Sequence, residues 1–198
     1  MKSCDHNNFN WSDSNAAKHE HFMKIALREA AKAAANGDVP VGAVIVKDGK
    51  IIGRGHNMRE ARQDALLHAE VAAIRQACRR LRSWRLSGCT LYVTLEPCLM
   101  CSGAIIQSRI DNVIFGALDP KTGACCSVAR SFDLPLHHTV NWQHGLLAAK
   151  CSDLLKDFFR KRREQQKSMG TKGQRKQAAL DAHQTRYSGD ENKHEQDL

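Results

Sequence analysis

The chain has 198 residues, 42% of them hydrophobic and 26% charged, a length that suits one folded domain with a tail and a composition able to bury a core. Its 30 Lys and Arg against 21 Asp and Glu leave +9, which favours a polyanionic partner over a small neutral metabolite, although a basic surface can also serve solubility alone. No apolar run is long enough to span a bilayer and Met1 to Asn15 lacks a basic-then-apolar leader, so the expectation is a cytoplasmic protein with no membrane partner.

In chain order, Ser14 to Asn36 reads as a helix, with Phe22, Ile25, Ala26, Ala30 and Ala33 as its apolar stripe and Gly37 as its stop. Val41 to Lys47 and Lys50 to Gly55 read as strands joined by the Asp48-Gly49 turn. A helix is expected over Leu67 to Leu81, a buried strand over Thr90 to Leu95, a helix over Cys98 to Ser108 and a strand over Asn112 to Phe115. A last strand is placed near Thr139 to Trp142, and Leu146, Leu147, Leu154, Leu155, Phe158 and Phe159 mark carboxy-terminal helical structure. Alternating strands and helices predict an α/β fold, a three-layer α/β/α domain around a central mixed sheet. The expected organisation is a flexible segment 1–14, a domain over 15–164, and a polar, mostly disordered tail over 165–198 with Tyr187 as its single aromatic.

Eight cysteines without an export signal read as reduced thiols rather than a disulfide framework. Cys125 and Cys126, adjacent in a loop of small residues, are expected to be exposed and oxidisable. Two others belong to the motifs that carry the chemistry, His68-Ala69-Glu70 and Pro97-Cys98-Leu99-Met100-Cys101. Taken singly, each has a plainer reading: a Cys-x-x-Cys can be a redox pair, and a histidine in a helix is commonly a core residue. Taken together, His68, Cys98 and Cys101 supply three zinc ligands and leave a fourth position open to water, the pattern of a hydrolytic site. Zinc over another metal follows from the mixed thiolate and imidazole donor set. Cys98 and Cys101 at i, i+3 fit one face of a helix, whereas His68 and Glu70, two apart, require an irregular first turn. Glu70 then stands as a non-ligating proton shuttle. The combined H-x-E…P-C-x-x-C pattern is the signature of zinc nucleobase deaminases.

Further stretches carry a more specific resemblance: Val39 to Val44, Thr94 to Ala104, Ser108-Arg109-Ile110, and Phe115-Gly116-Ala117-Leu118-Asp119-Pro120-Lys121-Thr122-Gly123-Ala124. With the zinc motifs they resemble the bacterial tRNA-specific adenosine deaminases of the cytidine/deoxycytidylate deaminase superfamily, over roughly residues 16–163. The resemblance implies zinc-dependent hydrolysis of adenosine to inosine at the wobble position of a tRNA anticodon, one Zn2+ per subunit, and a homodimer. It assigns Asn57, Ala69, Asp119, Lys121, Phe158, Phe159 and Arg160 to substrate binding. Asn57 could instead be a turn residue, Asp119 and Lys121 could simply order their loop, and one of the two phenylalanines could be core. Leu118 stands where the family commonly has arginine. Two other functions stay open: a deaminase of free bases or nucleotides, which would share the zinc signature, and a noncatalytic RNA-binding subunit, which would be expected to lack Glu70.

Overall fold

A computed structural model describes residues 15–168 and Gln177. It divides into two compact units, Met1–Lys156 and Asp157–Leu198.

The first unit is a five-stranded sheet in the order β2-β1-β3-β4-β5, formed by Gly42–Lys47 (β1), Lys50–His56 (β2), Cys89–Leu95 (β3), Asn112–Ala117 (β4) and Asn141–His144 (β5). β1 pairs antiparallel with β2 and β3, while β3, β4 and β5 are mutually parallel neighbours. The helices are Ala16–Ala35 (α1), Arg59–Arg62 (α2), Ala69–Leu81 (α3), Leu99–Gln107 (α4) and Ala148–Ser168 (α5), the last running through the boundary between units.

Successive side chains of a strand face opposite ways, so each central strand feeds two cores. Ala43, Ile45, Leu91, Val93, Val113 and Phe115 pack with α3 and α4 residues on one face. Val44, Val46, Tyr92 and Ile114 pack on the other with Phe22, Met23, Ile25 and Ala26 of α1 and with Cys151 of α5. The expected three-layer α/β/α architecture with a mixed sheet is the one observed.

Several boundaries differ from the expectation. The last strand lies two residues later, at Asn141–His144, because its register is set by parallel pairing with β4 and by stacking of Trp142 and His144 on Phe115, which outweigh the weak strand character of Asn-Trp-Gln-His. The short α2 has no apolar stripe to announce it; buried Asp38 caps it by accepting the Glu60 and Ala61 amides at 2.8 and 3.1 Å. Cys125 is fully buried and Cys126 half-buried, correcting the expected exposure of this pair, because the loop is drawn into the α3–α4 core. Helix α5 continues through Ser168, so 165–168 are helical where a disordered tail was expected, while segments 1–14, 169–176 and 178–198 lie outside the described residues. No described helix is long and apolar enough to cross a membrane.

The sheet brings α3 unusually close at β2. A Cβ on Gly55 would collide with the Ala69 carbonyl and the Ala73 amide, so only glycine lets the start of α3 seat there. Gly103, exposed on α4, has open space where a Cβ would go. In chemical denaturation, Gly55→Ala is expected to cost about 1–3 kcal/mol, and Gly103→Ala to leave stability unchanged or add up to about 1 kcal/mol.

Candidate active site

Helices commonly begin with Ser, Thr, Asp or Asn, whose side-chain oxygen accepts one of the orphan amides of the first turn. Here α3 begins with His68 and α4 with Cys98, both extended at the N-cap position and neither making a side-chain capping bond. Asn57 takes over that task for α3: its Oδ1 accepts the Ala69 N–H at 3.1 Å while its Nδ2 donates to the Val39 carbonyl at 3.2 Å. The imidazole of His68 is thereby left for another partner.

That partner is the pair of cysteines on α4. His68 Nδ1 lies 3.7 Å from Cys98 Sγ and 3.5 Å from Cys101 Sγ, and the three ligand atoms all lie within 4.8 Å of one another. A tetrahedral zinc with Zn–S near 2.3 Å and Zn–N near 2.05 Å has sulfur–nitrogen edges of about 3.5–3.6 Å. The spacing and chemistry of this donor set therefore fit one zinc ion held by three protein atoms, with His68 engaged through Nδ1. Cys98 stands at the N-cap position, just before the helix that carries Cys101, and the two sulfurs converge as the i, i+3 spacing suggested; the irregularity expected at His68 is the same N-cap geometry.

The electrostatics favour thiolate at Cys98. Without metal, a hydrogen bond from Cys101 and the neighbouring His68 bring the Cys98 thiol down to about 4, against burial. Cys101, which gives that hydrogen bond and is more deeply buried, is held above the usual thiol range. The bond to Cys98 raises the His68 imidazole. Metal binding releases the remaining protons, and the positive ends of α3 and α4 point toward the same charge. Glu70, only 4% exposed, sits in the first turn of α3, where burial, seconded by the Cys98 charge, pushes its carboxyl up to about 7.

The loop after β4 forms the wall beside Cys98. Gly123 bridges Cys98, and the Ala124 N–H donates to the Pro97 carbonyl at 2.9 Å. This loop is organised by Glu96, a residue that the sequence reading missed. Its carboxylate is 3% exposed and accepts the amides of Asp119, Cys125, Cys126 and Ser127 at 2.8–3.0 Å, plus the Ser127 hydroxyl. The available signal was an acidic residue at the end of a buried strand, directly before Pro97-Cys98.

The other expected substrate residues divide. Asn57 lies beside the site, with two of its four hydrogen-bonding capacities already engaged. Ala69 is fully buried and its amide is taken by Asn57, so it presents no free N–H. The carboxylate of Asp119 accepts the Lys121 and Thr122 amides and the Thr122 hydroxyl, the loop-ordering arrangement. The Lys121 side chain is exposed. Phe158, Phe159 and Arg160 belong to α5 in the second unit, where the two rings meet edge to face at 5.4 Å, Phe159 is 42% exposed, and Arg160 pairs with Asp157 at 2.8 Å.

Glu96→Gln is expected to lower stability by about 2–4 kcal/mol, because an amide cannot accept four N–H groups and leaves buried donors unpaired. Hydrogen exchange at Cys125, Cys126 and Ser127 should accelerate while zinc content holds; unchanged exchange there would show that the loop stands without Glu96.

Comparison with known proteins agrees with this geometry. Residues 16–117 match the family model of the cytidine and deoxycytidylate deaminase zinc-binding region. The chain is 53% identical over 145 residues to the tRNA-specific adenosine deaminase of Aquifex aeolicus, covering 73% of this chain and 95% of that protein. It is 46% identical over 151 residues to the tRNA-specific adenosine deaminase of Bacillus subtilis, covering 75% and 93%. A solved structure from a study of A-to-I editing by tRNA:A34 deaminases at the wobble position of transfer RNA superposes with a TM-score of 0.67 at 46% identity, covering 68% of this chain and 99% of that one. A zinc-fitting His68, Cys98 and Cys101 set and these identities agree, and the chain belongs to the tRNA-specific adenosine deaminase family within the cytidine and deoxycytidylate deaminases.

Proposed function

We propose that this protein hydrolyses adenosine to inosine and ammonia at the wobble position of a tRNA anticodon. The observation that carries the reading is a set of three donor atoms from His68, Cys98 and Cys101 able to hold one metal ion, with the buried carboxyl of Glu70 interacting with these residues and outside that set. His68, Cys98 and Cys101 would hold the zinc ion, which when bound would supply Lewis-acid activation of one water.

Glu70 moves the protons. It accepts the proton that the attacking water loses on forming the C6–O bond and gives it to the adjacent ring nitrogen, then takes the remaining proton of the new C6 hydroxyl and passes it to the amino group, so that the C6–N bond breaks, ammonia leaves and C6 keeps a carbonyl. A carboxyl raised to about 7 by burial suits a group that must both take and give a proton near neutrality. Asn57 acts chiefly as a positioning residue, holding the start of α3 while its remaining N–H and lone pair face the nucleotide. Asp119 orders the loop that carries Lys121 toward phosphate. Phe158 and Phe159 offer faces for unstacked bases, with Arg160 beside them for the backbone.

The acting species is taken to be a cytoplasmic homodimer. Leu99, 66% exposed next to Cys98, and Leu66, 61% exposed on the approach to His68, are apolar surface that a second copy would cover. Sedimentation equilibrium should give twice the chain mass of 22.1 kDa; a monomer at micromolar concentration would contradict the assignment.

Glu70→Gln should retain zinc and lower inosine formation in an anticodon stem-loop by about 10²–10⁴-fold, whereas His68→Ala should lose both the metal and turnover. Metal analysis with inosine quantification checks the pair, with free adenosine, guanine and cytidine assayed in parallel. Turnover of a free base or nucleoside in place of RNA would overturn the tRNA assignment.

A further inference from the structure

Between Glu70 and Glu96 the chain carries no acidic residue, yet it holds Arg75, Arg79, Arg80, Arg82 and Arg85. Two of these arginines line a groove of about 470 Å³ between α1, β2 and α3, together with Lys32 and Arg54. Ala72, Arg75, Gln76 and Arg79 reach it from one face of α3, at i, i+3, i+4 and i+7. On the β2 side the sheet ends, so the groove opens at an edge that no strand covers among the described residues.

The groove has a built floor. Glu29, 3% exposed, is held by Lys32 Nζ at 2.9 and 3.0 Å, by Arg54 at 3.7 Å and by His56 Nδ1 at 3.4 Å. One carboxylate anchors two of the cations, while Arg75 and Arg79 take part in none of the ion pairs among the described residues. Four permanent cations against one anion leave the groove strongly positive. Just past α3, Trp84 is 53% exposed and carries the Arg85 guanidinium 4.1 Å over its ring, a flat cationic platform.

We propose that this groove is a second docking surface for the RNA backbone, separate from the zinc site. The proposal rests on the reading of the chain as an RNA-acting enzyme and adds where the rest of the RNA is held. Arginine rather than lysine dominates the α3 face, and its planar fork suits phosphate oxygens. The negative end of α3 explains a cation or two in its last turn, such as Arg79 and Arg80. It does not explain Arg75 a turn earlier, nor Lys32 and Arg54 facing it from other elements. At about 1.5 Å per residue, Arg79 lies about 15 Å along α3 from Ala69. A nucleotide at the zinc site cannot touch both places, but a backbone continuing into the anticodon stem can.

The test compares two labelled RNAs, an anticodon stem-loop and the loop alone, binding to the full zinc-loaded chain and to Arg75→Ala/Arg79→Ala by fluorescence anisotropy across a salt series. The wild-type chain should prefer the stem-loop by about tenfold or more, and the variant should lose most of that preference, with a salt slope shallower by about one to two. Arg75→Lys/Arg79→Lys should recover the slope. A variant that keeps the wild-type preference and slope, or one that weakens both RNAs equally, overturns the proposal, as does a wild-type chain with no preference for the stem-loop. Inosine formation reads the catalytic assignment separately: groove-dependent binding without inosine would sink that assignment alone, and inosine with unchanged affinities would sink the groove alone.

Discussion

The site depends on two helices surrendering their first residue to a metal. At the start of α3 and of α4 the position that ordinarily closes the helix end is filled by His68 and by Cys98, each with an extended backbone. The amides left over are a cost that other parts of the chain must offset. Asn57 does so for α3, and Asp38 fixes the α2 turn that follows Asn57. Because capping is delegated, the imidazole and the two cysteine sulfurs converge at 3.5 and 3.7 Å, and both positive helix ends face the Cys98 thiolate.

The sheet and its glycines enforce this arrangement. β1, β3 and β4 form a core saturated on both faces, so the end of β3 is a fixed point from which α4 starts, and the end of β2 fixes Asn57, which holds the start of α3. Gly55 lets α3 lie against β2 without a side chain between them. Two buried glutamates then act in opposite ways. Glu96 is compensated on every side by backbone donors and builds the wall, whereas Glu70 is buried with little compensation and is held close to neutral. The difference is in their partners, since both are nearly inaccessible to solvent.

Much of this was legible in the chain. The strands β1 to β4 and helices α1, α3 and α4 announce themselves through period-two and period-3.6 apolar patterns, and the ligand motifs sit at the junctions between them. What was hidden is non-local. The start of β5 is set by pairing with β4, α2 exists because Asp38 caps it from about twenty residues away, and the burial of Cys125 follows from Glu96 drawing its loop inward. The loop-ordering role of Asp119 and the loss of the Ala69 amide to Asn57 are likewise visible only as hydrogen bonds between distant positions. Motif spacing names the ligands; it does not say which helix position each occupies.

His68, Cys98 and Cys101 would give a metal site three protein ligands and leave one position for water. X-ray absorption at the zinc edge of the purified protein reads that shell. One zinc per chain is expected, with two sulfur neighbours at about 2.3 Å and two lighter neighbours, one imidazole nitrogen and one exchangeable oxygen, at about 2.0–2.1 Å. A third sulfur such as Cys125, a second imidazole, or a shell that no added ligand can displace would mean a closed structural site, and the hydrolytic reading would fall with it.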